Sequence, residues 1–343
     1  MRVRLWRSDS ALAQPVTSAA QRHDLRTRLY LEIDHEGVVG YGEASPQPTT
    51  INGDPGLALV LAQLVDVVVP RLIGIVERER ELPEWSRVGA LVSGPDSHFA
   101  SSLVEMALLD YELRRRAETL SSLWPARWDT PTQATVSLLD DDWFVGDVAR
   151  VRVKTAPGAL SARALERVGA LARPVLLDFN CSASAEDVIE QVARLRDVVE
   201  LDAVEQPFAP GNLADAALLA RELDVALSID EGLRSFQDLA QIARYGAATM
   251  LCVKPARLGG FAAARSVIDR ARELDMRVYL GGFFESDFAR QVNRAFARAF
   301  VSEPSDIAPV ALATGASAAP RDGLGWRPSA AVLEDAILIG RFE

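Results

Sequence analysis

From about residue 132 the chain alternates short apolar runs with longer Ala/Leu/Arg/Glu segments of helical texture. The runs are TQATVSLL, ARVRVKT, PVLLDFN, LDAVEQP, VALSID, ATMLCVKP, MRVYLGG and DIAPVAL. Their spacing, mostly 20 to 30 residues, predicts βα units wound into a parallel barrel, with an open doubly wound sheet as the competing arrangement. Up to about residue 125 the texture is mixed. RLYLEID at 28–34 reads as a strand followed by a turn at HEGVVGYGEASP. In HFASSLVEMALLDYELRRRAE, Val104, Ala107, Leu108 and Tyr111 fall on one face of a helix. The expected organisation is an α+β domain over 1–125, a barrel over 126–315, and an Ala/Gly/Pro-rich segment, 316–343, that packs back on the first domain.

Composition narrows the function classes. The 343 residues are 49% hydrophobic and 25% charged, a soluble globular balance, and 37 Lys+Arg against 48 Asp+Glu leave a net charge of -11. No basic run is present to track a phosphate backbone, so neither nucleic acid nor an anionic membrane surface is an expected partner. The two cysteines, Cys181 and Cys252, make no disulfide framework and no zinc-site spacing, and the expected compartment is the cytoplasm. The most apolar stretch, LALVLAQLVDVVV at 57–69, is interrupted by Gln63 and Asp66, and neither a signal peptide nor a membrane span is expected.

The candidate chemistry lies where the middle runs stop. Lys154, Asp178, Glu205, Asp230 and Lys254 end five consecutive runs at intervals of 24, 27, 25 and 24 residues, about one βα unit each. In a parallel barrel these positions converge on one rim. Three neighbouring carboxylates in a partly desolvated mouth oppose one another's ionisation, and a divalent cation resolves the conflict. An all-oxygen donor set favours a hard ion, Mg²⁺, with Mn²⁺ as the alternative. A lysine on either side of that ion is expected to titrate below its free value and to serve as a general base. The reaction class implied is removal of a proton α to the carboxylate of a small-molecule substrate, through an enediolate.

The set VRVKTAP, LLDFN, VEQP, SIDEG, VKPARLGG and GGFFES resembles the enolase superfamily, and within it the muconate-lactonizing subgroup. Members of that superfamily pair a Lys or His base with Mg²⁺. The resemblance implies an α/β fold: a modified TIM barrel, (β/α)7β, behind an α+β N-terminal capping domain that includes RTRLYLEIDHEGVVGYGEASPQP. It makes Asp178, Glu205 and Asp230 the metal ligands, Lys154 the second basic residue of a Lys-x-Lys motif, and Lys254 the opposite acid/base group. Arg152 at the first position of that motif is a departure. Asn180 falls at a position beside the metal, Glu231 follows the third ligand, and Glu285 matches an acidic residue on the seventh strand that positions Lys254.

KPARLGG followed by GGFFESDFAR is similar to o-succinylbenzoate synthases and the related N-acylamino acid racemases, which implies dehydration on the menaquinone pathway or racemisation. Dipeptide epimerase and muconate-type cycloisomerase chemistry share the same first step. A metal-free Schiff-base barrel built on Lys254 and a non-catalytic metal- or ligand-binding barrel are the readings from other classes. In the capping loop VTSAAQRHDLRTR, Arg26 or Arg28 is the expected partner of a distal substrate carboxylate. Phe283 and Phe284, taken as alternating along a strand, place one ring in the pocket and one in the barrel wall. His23, His35 and His98 are expected away from the barrel ends, Cys252 in the core, and Cys181 without a partner base. Gly259-Gly260 is a weak phosphate-cradle signal. Pairing through barrel exteriors makes a homo-oligomer a further expectation.

Overall fold

The structure is a computed structural model that describes residues 1–91, 94–143, 145–307, 333 and 336–343. The chain begins with three antiparallel strands, β1 (Arg2–Thr17), β2 (Arg22–His35) and β3 (Val38–Ala44). Glu36 and Gly37 close the β2–β3 hairpin with positive φ at both positions, the conformation a two-residue loop needs to match strand twist. Seven parallel strands follow in chain order: β4 (Gln133–Ser137), β5 (Arg150–Lys154), β6 (Val175–Asp178), β7 (Leu201–Glu205), β8 (Ala226–Ile229), β9 (Met250–Val253) and β10 (Arg277–Leu280). β11 (Ile337–Phe342) pairs with the outer edge of β1. The remainder of the 316–343 segment, apart from residues 333, 336 and 343, lies outside the described residues.

The seven-stranded sheet curls until one short segment bridges its two edges. Asp306 N donates to Leu280 O at 2.8 Å, and Gln133 N donates to Ser305 O at 2.9 Å, so one short segment bonds to both β10 and β4. Of the eighth apolar run, residues 308–312 lie outside the described residues. Along the strands the side chains alternate between two cores. Leu176, Ala203, Met250, Cys252 and Tyr279 cluster inside the barrel, while Leu177, Val204, Leu251 and Val253 join the larger cluster under the helices. That alternation sends Arg150, Arg152 and Lys154 inward in one column.

The helix His98–Arg116 is buried on nearly all sides, from Phe99 to Tyr111, because it lies between the N-terminal sheet and the barrel. Leu103, Val104 and Ala107 belong to the N-terminal core; Met106, Leu109 and Leu113 belong to the barrel core. Gly40 and Gly42 of β3 let the helix backbone approach, since a Cβ at either would overlap the main chain near Ala107 or Leu103.

Gln63 and Asp66 do not break the apolar stretch at 57–69. The chain is helical from Leu57 to Glu79, with a π-helical turn at Leu64–Val68, and is long and apolar enough to cross a membrane. Its buried side, Val60, Leu64, Val68, Val69 and Leu72, packs in the N-terminal core.

Candidate active site

The strand ends carry the five residues singled out by spacing. Lys154, Asp178 and Glu205 are the last residues of β5, β6 and β7 and are paired in register, while Asp230 and Lys254 follow directly after β8 and β9. Lys154 Nζ donates to Asp178 Oδ2 at 2.9 Å and to Asn180 Oδ1 at 2.7 Å. Lys254 Nζ donates to Asp230 Oδ2 at 2.8 Å and lies 4.8 Å from the centre of the Phe283 ring. The three carboxylates lie between these two ammonium groups, each at most 2% exposed.

Above them is a cavity of about 60 Å³. Arg152, Lys154, Asn180, Glu231, Lys254 and Arg257 face it from the barrel; Ser18, His23, Gln47, Ile51, Asn52 and Asp54 face it from the N-terminal part. Phe283 and Phe284 complete the wall.

Backbone turns at the rim hold these groups. Asn180 takes a left-handed conformation, which Asn tolerates, and its N–H donates to Asp178 Oδ1 at 2.9 Å. Its side-chain amide donates to Glu231 Oε1 at 3.2 Å. Gln206 Oε1 accepts from the N–H groups of Asp230 and Gly232 at 2.9 and 3.0 Å, fixing the turn that carries Asp230 and Glu231.

Arg152 is buried and ion-paired to Glu205 at 3.1 Å; Tyr279 Oη donates to the same Oε2 at 2.6 Å. The departure from Lys at this position therefore puts a permanent cation on the middle carboxylate. Burial pushes Glu205 up to about 8 against the pull of Arg152, with Asp178 and Asp230 adding to the rise. Burial, then Asp230 and Asp178, lifts Glu231 to about 7. Burial opposes ionisation of Asp230, but Arg257 and Lys254 outweigh it and hold that carboxyl below its usual range.

Oxygens of Glu205 and Asp230 gather with Cys252 Sγ within 4.8 Å of one another, while Asp178 is turned to Lys154. Burial first, then Asp230 and Glu205, holds the Cys252 thiol well above its ordinary value, so it stays neutral. The ionisable donors are thus oxygens. Glu205 Oε1 and Glu231 Oε2 are buried and have no hydrogen-bond partner among the described residues. The orphaned Glu205 oxygen, gathered with the Asp230 carboxylate, fits a hard divalent cation, which Asp178, Glu205 and Asp230 would hold.

Several expectations are corrected by the packing. Arg26 is fully buried and donates to Phe283 O, Gln47 Oε1 and Ser45 O, so its guanidinium is not open to a substrate carboxylate. Arg28 is likewise committed to Ser10 and Phe284 O, and lies beside Glu43. His23 is not remote from the barrel ends: it is buried in the cavity wall, its ring 5.5 Å from that of Phe284. Burial, then Arg26 and Lys154, pushes its pKa down to about 4. His98 Nδ1 lies 2.7 Å from Arg257 O, beneath the rim.

β10 stops at Leu280, so Phe283, Phe284 and Glu285 lie in a loop, with Phe284 at φ 58°, and both rings face the cavity. Glu285 Oε1 accepts from Asn293 at 3.5 Å, whereas Lys254 is held by Asp230. Nor is Lys254 depressed. Burial alone would lower it, but Asp230 at 2.8 Å outweighs burial and raises it. The Gly259-Gly260 turn cradles a side chain: Glu105 accepts from Ala262 N at 3.0 Å, and a Cβ on Gly260 would overlap its carboxylate.

Two further residues had no signal of their own in the sequence. Arg257 lies inside the VKPARLGG motif but was not separable from it. It donates to both carboxylate oxygens of Asp54 at 2.7 Å and to the Asp230 carboxylate, with Asp230 O at 3.0 Å. Asn52, on the same loop as Asp54, donates to Glu231 Oε1 at 3.3 Å.

A curled parallel sheet with polar groups at its C-terminal rim, beside an antiparallel N-terminal sheet, defines an α/β class of fold, and sequence comparison places it in a family. Residues 144–317 match the family described as Enolase C-terminal domain-like, and the chain belongs to the enolase superfamily. It is 25% identical over 314 residues to the o-succinylbenzoate synthase of Bacillus subtilis, covering 86% of this chain and 81% of that one. It is 32% identical over 213 residues to an N-succinylamino acid racemase of Amycolatopsis, covering 58% and 56%. The crystal structure of the N-succinyl Arg/Lys racemase from Bacillus cereus superposes with a TM-score of 0.81 at 15% identity, over 100% of this chain and 98% of that chain, a likeness of fold.

Proposed function

We propose that this protein is a Mg²⁺-dependent enzyme that removes a proton α to a carboxylate, and that its reaction is an o-succinylbenzoate synthase-type dehydration in the cytoplasm. The observation that carries the reading is the flanking of three buried carboxylates by two lysines, Lys154 on Asp178 and Lys254 on Asp230. A cation held by Asp178, Glu205 and Asp230 would neutralise the carboxylates and polarise the substrate carboxylate.

The chain's own groups do the rest. Lys154, at the cavity wall, takes the α-proton as a general base. Lys254, kept as an ammonium by Asp230, faces the negative charge that develops on the substrate. Loss of the β-hydroxyl as water then needs one proton, returned by the conjugate acid of the base. Phe283, Phe284 and the N-terminal loop exclude water from the reacting face.

A second lysine on the opposite face also suits a racemase, and the likeness to the Amycolatopsis enzyme supports that as the second reading. Turnover with Mg²⁺ in D₂O tests both, using the succinylcyclohexadiene carboxylate beside N-succinylamino acids. Dehydration of the first, reduced by about 10²-fold or more in Lys154→Ala and Lys254→Ala, is the expected result. Deuterium uptake with inversion of an amino acid substrate replaces the synthase reading with the racemase one. No exchange with any of them refutes the proposed chemistry.

A further inference from the structure

We propose that the N-terminal wall of the cavity is a subsite for a hydrogen-bond acceptor at the distal end of the substrate, read by two neutral N–H donors, the His23 imidazole and the Gln47 carboxamide. The inference rests on the reading that substrate occupies the cavity between Lys154 and Lys254. Its basis is a chain of fixed orientations. Arg26 Nη1 donates to Gln47 Oε1 at 2.9 Å, and Gln21 Nε2 donates to the same oxygen at 3.4 Å. With its carbonyl edge occupied, Gln47 has its NH₂ edge left, and that edge makes no hydrogen bond among the described residues.

Gln21 Nε2 also lies 3.3 Å from His23 Nδ1. An amide N–H can only donate there, so Nδ1 is the acceptor and the ring proton sits on Nε2. Nε2 has no partner among the described residues, although His23 is only 8% exposed. Both residues line the cavity, and Phe284 gives them an apolar shelf.

The charged groups acting on His23 are Arg26 and Lys154, which oppose its protonation, and Asp24 on its own strand, which favours it less strongly than burial disfavours it. The ring is a neutral donor at physiological pH. Arg26 is thus a positioning residue: it aims Gln47 instead of meeting the substrate. Two neutral donors discriminate weakly between a carboxylate oxygen and an amide oxygen, whereas an arginine discriminates strongly.

The test is calorimetric binding of three probes to the Mg²⁺-loaded protein: N-succinyl-L-phenylalanine, its distal primary amide, and N-acetyl-L-phenylalanine, which lacks the distal acceptor. The wild type should bind the first two within about threefold of each other, and both more tightly than the third. His23→Phe and Gln47→Leu should each weaken the first two by roughly three- to tenfold and leave the acetyl probe unchanged, and His23→Gln should restore part of the loss. Between about pH 5.5 and about 8 the pH profile of affinity should be the same in His23→Gln as in the wild type, since the His23 ring does not titrate there.

A preference for carboxylate over amide above about 100-fold overturns the proposal, because it requires a charged partner. Equal weakening of all three probes by His23→Phe, or no binding of either succinyl probe, overturns it as well. Binding as described, with no α-proton exchange in either the succinylcyclohexadiene carboxylate or the N-succinylamino acids, sustains the subsite and refutes the proposed chemistry, so the two failures are distinct.

Discussion

Asp54→Ala removes one half of a buried ion pair that joins the N-terminal loop to the barrel. Arg257 Nε and Nη2 each donate to an Asp54 oxygen at 2.7 Å, with the side chains 3% and 4% exposed. Truncation leaves two N–H groups buried without acceptors. Breaking such a pair costs about 3–5 kcal/mol. Asp230 still neutralises Arg257 through its third nitrogen, which puts the expected loss at the lower end, about 3 kcal/mol.

With an unfolding entropy of about 2.1 cal/mol/K per residue, 343 residues give about 0.7 kcal/mol/K, so this loss lowers Tm by about 4 °C. Calorimetric melting of Asp54→Ala, Arg257→Met and the double variant measures it. The double variant should fall short of the summed single losses by about 2 kcal/mol, since the second truncation removes the charge that the first left unpaired. A loss below about 1 kcal/mol for Asp54→Ala, or strict additivity, would show that water replaces the carboxylate and that the loop is not tied to the barrel by this pair.

Mg²⁺ should raise Tm and EDTA should reverse the gain, with about 2.7 kcal/mol of stabilisation at a hundredfold excess over Kd; Glu205→Gln should abolish the shift. Burial lifts Glu105 from its ordinary value of 4.5 to about 8, against two backbone donors. A folded-state pKa above the unfolded one means the folded chain holds the extra proton between these values. That contribution is complete below about pH 4.5 and is lost as pH rises through about 8. In denaturant melts from pH 5 to pH 8 the wild type should therefore lose stability with rising pH more steeply than Glu105→Gln, by up to about 1.4 kcal/mol per pH unit, the slope that remains in the variant coming from Glu205 and Glu231. An unchanged slope in that variant would mean that the Glu105 carboxyl ionises normally.

The sequence by itself determined the parts of this protein that depend on repetition. Each βα unit delivers one side chain to the same height on the barrel rim, so a spacing of 24 to 27 residues was enough to bring Lys154, Asp178, Glu205, Asp230 and Lys254 together. Its place inside the apolar run ATMLCVKP likewise put Cys252 in the core. β1, sixteen residues long, was not read as a strand, because its core-facing Val3 and Leu5 give way to polar residues after one turn of alternation.

Only the tertiary structure decided what lies opposite the rim. His23 and Gln47 reach the cavity because the N-terminal sheet docks over it, and nothing local to their sequence encodes that contact. Arg26 looked free for a ligand because its partners, Gln47 and the Phe283 carbonyl, are 21 and 257 residues away. The Asp54–Arg257 pair spans 203 residues. Helix His98–Arg116 shows one apolar stripe in sequence but is covered on both sides, because two cores meet on it. Spacing along a chain reports contacts that recur at a fixed period; a contact made once, between two separately folded layers, has no period to report.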